Sequence, residues 1–222
     1  MNIETNHSTQ KNLKKVKSNY LYEDIENYNE SKNLIFQNSG GLRTKGLYKS
    51  FIKNKPLISI ITVSFNSEET IEKTILSVLK QTYDNIEYIV VDGSSKDNTL
   101  KIIKKYEGSI DFWISEKDRG IFNAMNKGIK VCSGDIIGIL NSDDIYFKNS
   151  LKLVNKYFNN NKSLDFLFGS VYKHKLLHGF NPSIINWSFG FYTTHSVGFF
   201  IKKKSQLKVG LYNLKYKYSA DY

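Results

Sequence analysis

A single cysteine, Cys132, among 222 residues leaves no internal disulfide framework and no cysteine cluster for a structural zinc site. A reducing compartment is the simpler expectation. The four histidines show no ligand spacing either. The first residues, MNIETNHSTQKNLKK, lack the apolar core of a signal peptide. Long hydrophobic runs are missing too: Ile58–Val63 and Ile136–Leu140 are far too short to span a bilayer. The expectation is a cytoplasmic chain, at most peripheral at the cytoplasmic face of the membrane. Acidic residues are in deficit, with 21 Asp and Glu against 32 Lys and Arg, a formal net charge of +11. That surplus suits a basic face toward phosphates or anionic lipid. The lysines are scattered, with one tight cluster at Lys202, Lys203 and Lys204, so no nucleic-acid partner is expected.

What the chain does contain is enough apolar residue, 40%, to bury one sizeable core. Aromatic residues, nearly all Tyr and Phe, make up 14%, which suits core packing or stacking on ligand rings. Residues 1–55 are polar and weakly periodic and read as a loosely structured N-terminal extension, with a short helix near Tyr20–Tyr28. Within it, GGLRTKG (Gly40–Gly46) lacks the preceding strand and the ending of a phosphate loop, and reads as a flexible lead-in.

At Pro56 the pattern changes. Leu57–Val63 predicts a buried strand, and Asn66 with Glu69 three residues later predicts a helix start. Ile71, Ile75, Val78 and Leu79 then fall at helical spacing. Strands follow at Ile86–Val91 and Ile110–Ser115, separated by a helix around Leu100–Lys104. Ile121, Ala124, Met125, Gly128, Ile129 and Cys132 form one continuous helical face, which Gly134 can stop. Ile136–Leu140 is a fourth strand running into Asn141-Ser142-Asp143-Asp144. Alternating strands and helices predict an α/β fold with a mostly parallel central sheet flanked by helices. In such sheets ligands bind beyond the carboxyl ends of the strands. Ser64-Phe65-Asn66, Asp92-Gly93-Ser94, Glu116–Arg119 and Asp143-Asp144 occupy those positions.

Paired carboxylates at a strand end suit Mg2+ or Mn2+, hard cations often shared with substrate phosphates. The competing reading of Asp144 is a cap for a helix starting near Asn149. Asp92 fits either ordinary turn chemistry or the acceptance of a hydrogen bond from a nucleotide base. Arg119 suits phosphate oxygens or a surface pair with Asp118 or Glu116. His195, set among aromatics, fits a hydrogen-bonded core residue as well as a functional one. Asp221, next to the last residue, would on its own read as part of a solvated tail.

Four segments then carry a resemblance: PLISIITVSFNSEETIEKTILSVLKQTY, IEYIVVDGSSKDNT, ISEKDRGIFNAMNKGIKVCSGDIIGILNSDD and THSVGFFIKKKSQLKVGLYN. In this order they resemble the family 2 glycosyltransferases of GT-A (Rossmann-like) type over residues 56–222. Among these they are most similar to bacterial enzymes that build capsular, lipopolysaccharide and colanic-acid-type surface glycans. The resemblance implies a nucleotide-sugar donor, a glycan or lipid-linked acceptor, and inverting transfer assisted by a divalent metal, Mn2+ or Mg2+. It places Thr62, Ser64, Asn66, Asp92, Asp118, Arg119, Gly120, Asp143 and His195 at the substrate. It makes Asp144 the metal ligand, with Ser142 in place of the first acid of the Asp-X-Asp motif. It makes Asp221 the catalytic base. Members of the family continue with helices that complete the acceptor site, so a partial acceptor region is expected here, and an inactive binding module is the alternative.

Overall fold

The computed structural model describes residues 7–15, 38–173, 175–177 and 196–215. In chain order its elements are β1 (Leu13–Lys15), β2 (Ser39–Gly40), β3 (Leu47–Lys49), β4 (Ile58–Ser64), α1 (Ile71–Leu79), β5 (Ile86–Asp92), α2 (Thr99–Lys105), β6 (Phe112–Ser115), α3 (Ile121–Val131) and β7 (Ile136–Asn141). They are followed by α4 (Ser150–Asn160), β8 (Phe166–Phe168), β9 (Val171–Lys173), β10 (Lys175–Leu177), β11 (Phe199–Lys202) and α5 (Lys203–Val209).

The apolar runs after Pro56 become the centre of a seven-stranded sheet in the order β2-β6-β5-β4-β7-β11-β8. The four strands expected from the sequence, β6, β5, β4 and β7, lie side by side and parallel. Antiparallel pairings extend the sheet on both sides, β2 on β6, and β11 on β7 followed by β8 on β11. Every residue of β4 and β5 is buried, as strands covered on both faces must be.

The period of two divides that burial between two cores. On one face Ile58, Ile60, Tyr88 and Val90 meet Ile71, Ile75 and Val78 of α1 and Leu151, Val154 and Phe158 of α4. On the other, Ile61, Val63, Ile89 and Val91 meet Ala124, Met125 and Ile129 of α3. Each fully buried isoleucine contributes roughly 1.5–3 kcal/mol. The α3 stripe follows the expected spacing, but its first member, Ile121, is 47% exposed. Gly128 lets α3 settle onto β4, since a Cβ there would overlap the Ile61 side chain. Gly134 does not stop α3, which ends at Val131 with Cys132 extended; its missing side chain makes room for Ser59 and Leu57.

Residues 7–15 and 38–55 depart from the expected loose extension, and Gly40–Gly46 is not a flexible lead-in. β2 pairs with β6, and the amides of Leu42 and Arg43 donate to the carbonyls of Ile110 and Asp111, each at 2.9 Å. The reason is a charge that composition alone does not reveal. Glu87, near the start of β5, is buried, and Arg43 reaches it from the N-terminal segment as an ion pair. Burial pushes the Glu87 carboxyl up, but Arg43 and hydrogen bonds from Ser133 and Ser59 outweigh it and hold it below its ordinary range. A second buried pair, Lys49 with Asp111 at 3.4 Å, ties β3 to the start of β6. Ser8 adds a hydrogen bond to the carbonyl of Leu79 at 3.1 Å, at the C-terminal end of α1. The helix expected near Tyr20–Tyr28 lies outside the described residues.

Removing Arg43 leaves Glu87 buried without its counter-charge. Arg43→Ala is expected to cost about 3–5 kcal/mol of stability at neutral pH. The gap to wild type should narrow on acidification, because the wild type loses the benefit of a depressed carboxyl while the variant can protonate Glu87. Urea unfolding at neutral pH and near pH 4 checks both; a cost below about 1 kcal/mol at neutral pH would contradict the staple.

Candidate active site

Parallel pairing sets the four strand ends level. Ser64 of β4 stands beside Asp92 of β5, Asp92 beside Ser115 of β6, and Val63 beside Asn141 of β7. The loops leaving these ends enclose a cleft of about 920 Å3, lined among others by Ser64, Phe65, Asn66, Ser67, Gly93, Asp118, Gly120, Ile121, Asn141, Ser142 and Asp143. Among the described residues five acids line it, Glu68, Glu69, Asp97, Asp118 and Asp143, against one lysine, Lys117. In a chain of net charge +11 this local excess of acid is a local property of the site.

The first loop does not start a helix at Asn66. Asn66 adopts φ 48°, its amide donates to Ser95 Oγ at 2.8 Å, and its Oδ1 accepts from the Lys96 amide at 2.8 Å. Helix α1 begins five residues later, after Thr70. Two loops are thereby joined: Glu68 takes part through its amide to Asp97 at 3.1 Å and through its carboxylate to the Asn98 amide at 2.8 Å. Thr62 does not line the cleft. It is fully buried, and its hydroxyl is hydrogen-bonded to Tyr88 Oη at 3.1 Å.

Asp92 likewise does not line the cleft. It is fully buried, and its carboxylate accepts from Ser115 Oγ at 2.6 Å, Ser64 Oγ at 3.3 Å, and Ser95 through Oγ at 2.5 Å and N at 3.0 Å. Four donors nearly fill the acceptor capacity of a carboxylate. In this conformation Asp92 ties β4, β5, β6 and the following turn together, and through Ser95 it positions Asn66.

Asp118 does face the cleft. Its carboxylate pairs with Lys127, a buried side chain of α3 that also binds Glu116 at 2.7 Å and the Lys117 carbonyl at 3.2 Å. Burial pushes the Asp118 carboxyl up, Lys127 pulls it down, and the charges of Glu116 and Asp92 push it up again; the net direction is upward. Arg119 is exposed and is not among the lining residues; its amide donates to Asn123 Oδ1 at 3.2 Å. Lys127 escaped sequence reasoning because it falls outside the apolar stripe of α3 and gives no spacing signal.

After β7 the chain makes a tight turn, with the Asp144 amide donating to the Asn141 carbonyl at 3.1 Å. Thr74 Oγ1 on α1 pins it, donating to the carbonyls of Ser142 at 2.9 Å and Asp144 at 2.8 Å. Asp144 is no helix cap: α4 starts at Ser150 after Asn149. Of the two acids Asp143 lines the cleft, while Asp144 Oδ2 accepts from Asn141 Nδ2 at 3.3 Å. Asn141 Nδ2 also reaches Ser196 Oγ at 3.3 Å, and Asn141 Oδ1 is buried with no hydrogen-bond partner among the described residues. Hard oxygens from Asp143, Asp144 and Asn141 fit a Mg2+- or Mn2+-like ion that takes its remaining ligands from water and substrate phosphates. No group of three His, Cys, Asp or Glu residues that could hold a metal by itself occurs among the described residues. His195 and Asp221 lie outside the described residues.

Residues 59–211 match the family profile of Glycosyl transferase family 2. The chain belongs to that family. It is 40% identical over 116 residues to the Escherichia coli UDP-Glc:alpha-D-GlcNAc-diphosphoundecaprenol beta-1,3-glucosyltransferase WfgD, covering 51% of this chain and 45% of that protein. It is 35% identical over 127 residues to the Escherichia coli enzyme of the same description, WfaP, covering 52% and 51%. The chain thus spans about half the length of these relatives. The fold is that of S. aureus TarS residues 1–349 (TM-score 0.63, 23% identity, 74% of this chain and 52% of that one). It is also that of the mannosyltransferase PcManGT from Pyrobaculum calidifontis in complex with GDP-Man and Mn2+ (TM-score 0.57, 17% identity, 72% and 48%).

If Asp92 is a strut, Asp92→Ala lowers stability by roughly 3 kcal/mol in the nucleotide-free protein, through loss of charge-assisted hydrogen bonds. A thermal or urea melt of the apo variant that overlays on wild type would contradict this.

Proposed function

We propose that this family 2 chain transfers a sugar from a nucleoside diphosphate sugar to a glycan or lipid-linked acceptor in bacterial surface-polysaccharide synthesis, inverting the anomeric configuration and depending on a divalent metal. The observation that carries the reading is the acid-lined cleft at the carboxyl edge of the parallel strands. Carboxylates repel a diphosphate unless a cation stands between them. The relatives' names support the class of donor and acceptor: UDP-Glc and a diphosphoundecaprenol-linked sugar for WfgD and WfaP. PcManGT, with GDP-Man and Mn2+, supports the metal.

Asp143 and Asp144, with Asn141 beside them, would hold the cation. Bound there, it would neutralise the charge that builds on the departing diphosphate. Ser64, Asn66 and Asp118 face the donor and fix its position, which supplies part of the acceleration by orientation alone. Gly120 lines the same cleft and keeps backbone close to the donor, while Arg119, on the adjacent exposed turn, would reach toward the phosphates. His195, next to Ser196 in sequence, completes the substrate-facing set. Asp221 is the proposed base, taking the proton of the acceptor hydroxyl as that oxygen attacks the anomeric carbon from the side opposite the leaving group. Cytoplasmic placement with peripheral contact at the membrane surface belongs to the same proposal; no helix among the described residues is long and apolar enough to cross a membrane.

Asp144→Ala is expected to abolish Mn2+-dependent binding of UDP or GDP while leaving the melting temperature of the apo protein within about 2 °C of wild type. Calorimetry that gives the same nucleotide affinity in variant and wild type would remove the metal assignment. Release of nucleoside diphosphate from UDP-glucose or GDP-mannose, with and without Mn2+, tests the transferase reading itself.

A further inference from the structure

The apolar stripe of α1 is interrupted by Thr74, which is fully buried. A hydroxyl inside a helix ordinarily turns to a carbonyl of its own preceding turn. Thr74 gives its hydroxyl to another segment: Oγ1 donates to the carbonyls of Ser142 at 2.9 Å and Asp144 at 2.8 Å. Two further residues continue the grip along the chain that leaves β7. The Tyr146 amide donates to Ser77 Oγ at 3.1 Å. Gln81, just past the end of α1, donates through Nε2 to the Phe147 carbonyl at 2.8 Å and accepts through Oε1 from the Leu151 amide at 3.1 Å. Thr74, Ser77 and Gln81 thus meet successive points of the same segment, and Thr74 meets it at the two acids.

We propose that Thr74 is a positioning residue for the divalent cation: by holding the backbone on either side of Asp143, it keeps the carboxylates of Asp143 and Asp144 in place before the ion arrives. This rests on the metal-dependent reading above. The hydroxyl has one proton to share between two carbonyls, so it clamps residues 142 and 144 together rather than either alone. With the chain fixed on both sides, only side-chain torsions remain for the two acids to settle. Neighbouring carboxylates repel each other, and an unpinned turn would let them part. Binding would then have to order the turn as well as bridge the acids, and affinity falls by that ordering cost. A small cation that demands near-octahedral oxygen ligands is sensitive to such loosening. Ser77 holds the chain only beyond the turn, at Tyr146, so its loss slackens the scaffold without freeing the acids.

The test measures UDP and GDP binding by calorimetry across a series of Mn2+ concentrations, together with the apo melting temperature. The proteins compared are wild type, Thr74→Val, Thr74→Ala, Thr74→Ser and Ser77→Ala. Thr74→Val keeps the shape of the side chain and removes the hydroxyl; Thr74→Ala removes it without the bulk and serves should the valine variant fail to fold. Both are expected to raise the Mn2+ concentration for half-maximal nucleotide binding by about tenfold or more. Thr74→Ser keeps the hydroxyl and should stay within about threefold of wild type. Ser77→Ala should lower the apo melting temperature yet leave the Mn2+ requirement within about twofold of wild type. A wild-type Mn2+ requirement in Thr74→Val and Thr74→Ala, no recovery in Thr74→Ser, or an equal shift in Ser77→Ala would overturn the inference. A wild type that binds neither nucleotide, or binds equally well with and without Mn2+, would instead overturn the reading it rests on.

Discussion

The register of three parallel strands governs everything at the site. β4 lies between β5 and β7, and pairing Ser64 with Asp92 and Val63 with Asn141 makes the strands end together. A slip of one residue would exchange the two faces of a strand, putting Thr62 where Ile61 packs on α3 and breaking both cores at once. The apolar packing therefore enforces the register, and the register brings the loops into one cleft. Asp92 then locks the arrangement with hydrogen bonds to both neighbouring strands.

The two edges of the sheet carry opposite electrostatic designs. At the amino edge, buried acids are neutralised by residues from the N-terminal segment, Arg43 on Glu87 and Lys49 on Asp111. At the carboxyl edge, acids face solvent in the cleft with one buried lysine, Lys127, behind them. Charge that is paired internally cannot lose one partner without a large cost; charge left facing a cavity is available to a cation and a ligand. The same residue type thus does different work at the two ends, and position relative to strand direction decides which.

Much of this was legible in the sequence. The strands at Ile58, Ile86 and Ile136 and the stripe of α3 were readable because apolar periodicity is a local property and these segments are covered on both faces. That Asp118 and Asp143 stand at one cleft followed from the rule that ligands sit beyond the carboxyl ends of parallel strands. Other features depend on partners distant in the chain. Arg43 looked like part of a polar lead-in because its partner is 44 residues away. That Ser64 and Ser115 donate to Asp92 was not legible, because both lie on neighbouring strands more than 20 residues away. Asn66 and Glu69 matched a helix start, yet Ser95 and Lys96 recruit Asn66 into a turn instead. The family resemblance was silent on which of the acids are sealed.

The central claim is that one cleft at the carboxyl edge holds a cation and a nucleoside diphosphate together. A crystal grown with Mn2+ and UDP, measured for anomalous scattering from manganese, tests it most directly. The expected result is a single manganese peak bound to carboxylate oxygen at Asp143 or Asp144 and to the diphosphate, with the nucleoside in the same cleft. UDP ordered in the cleft with no metal at those acids, or manganese and nucleotide bound elsewhere on the protein, would contradict it.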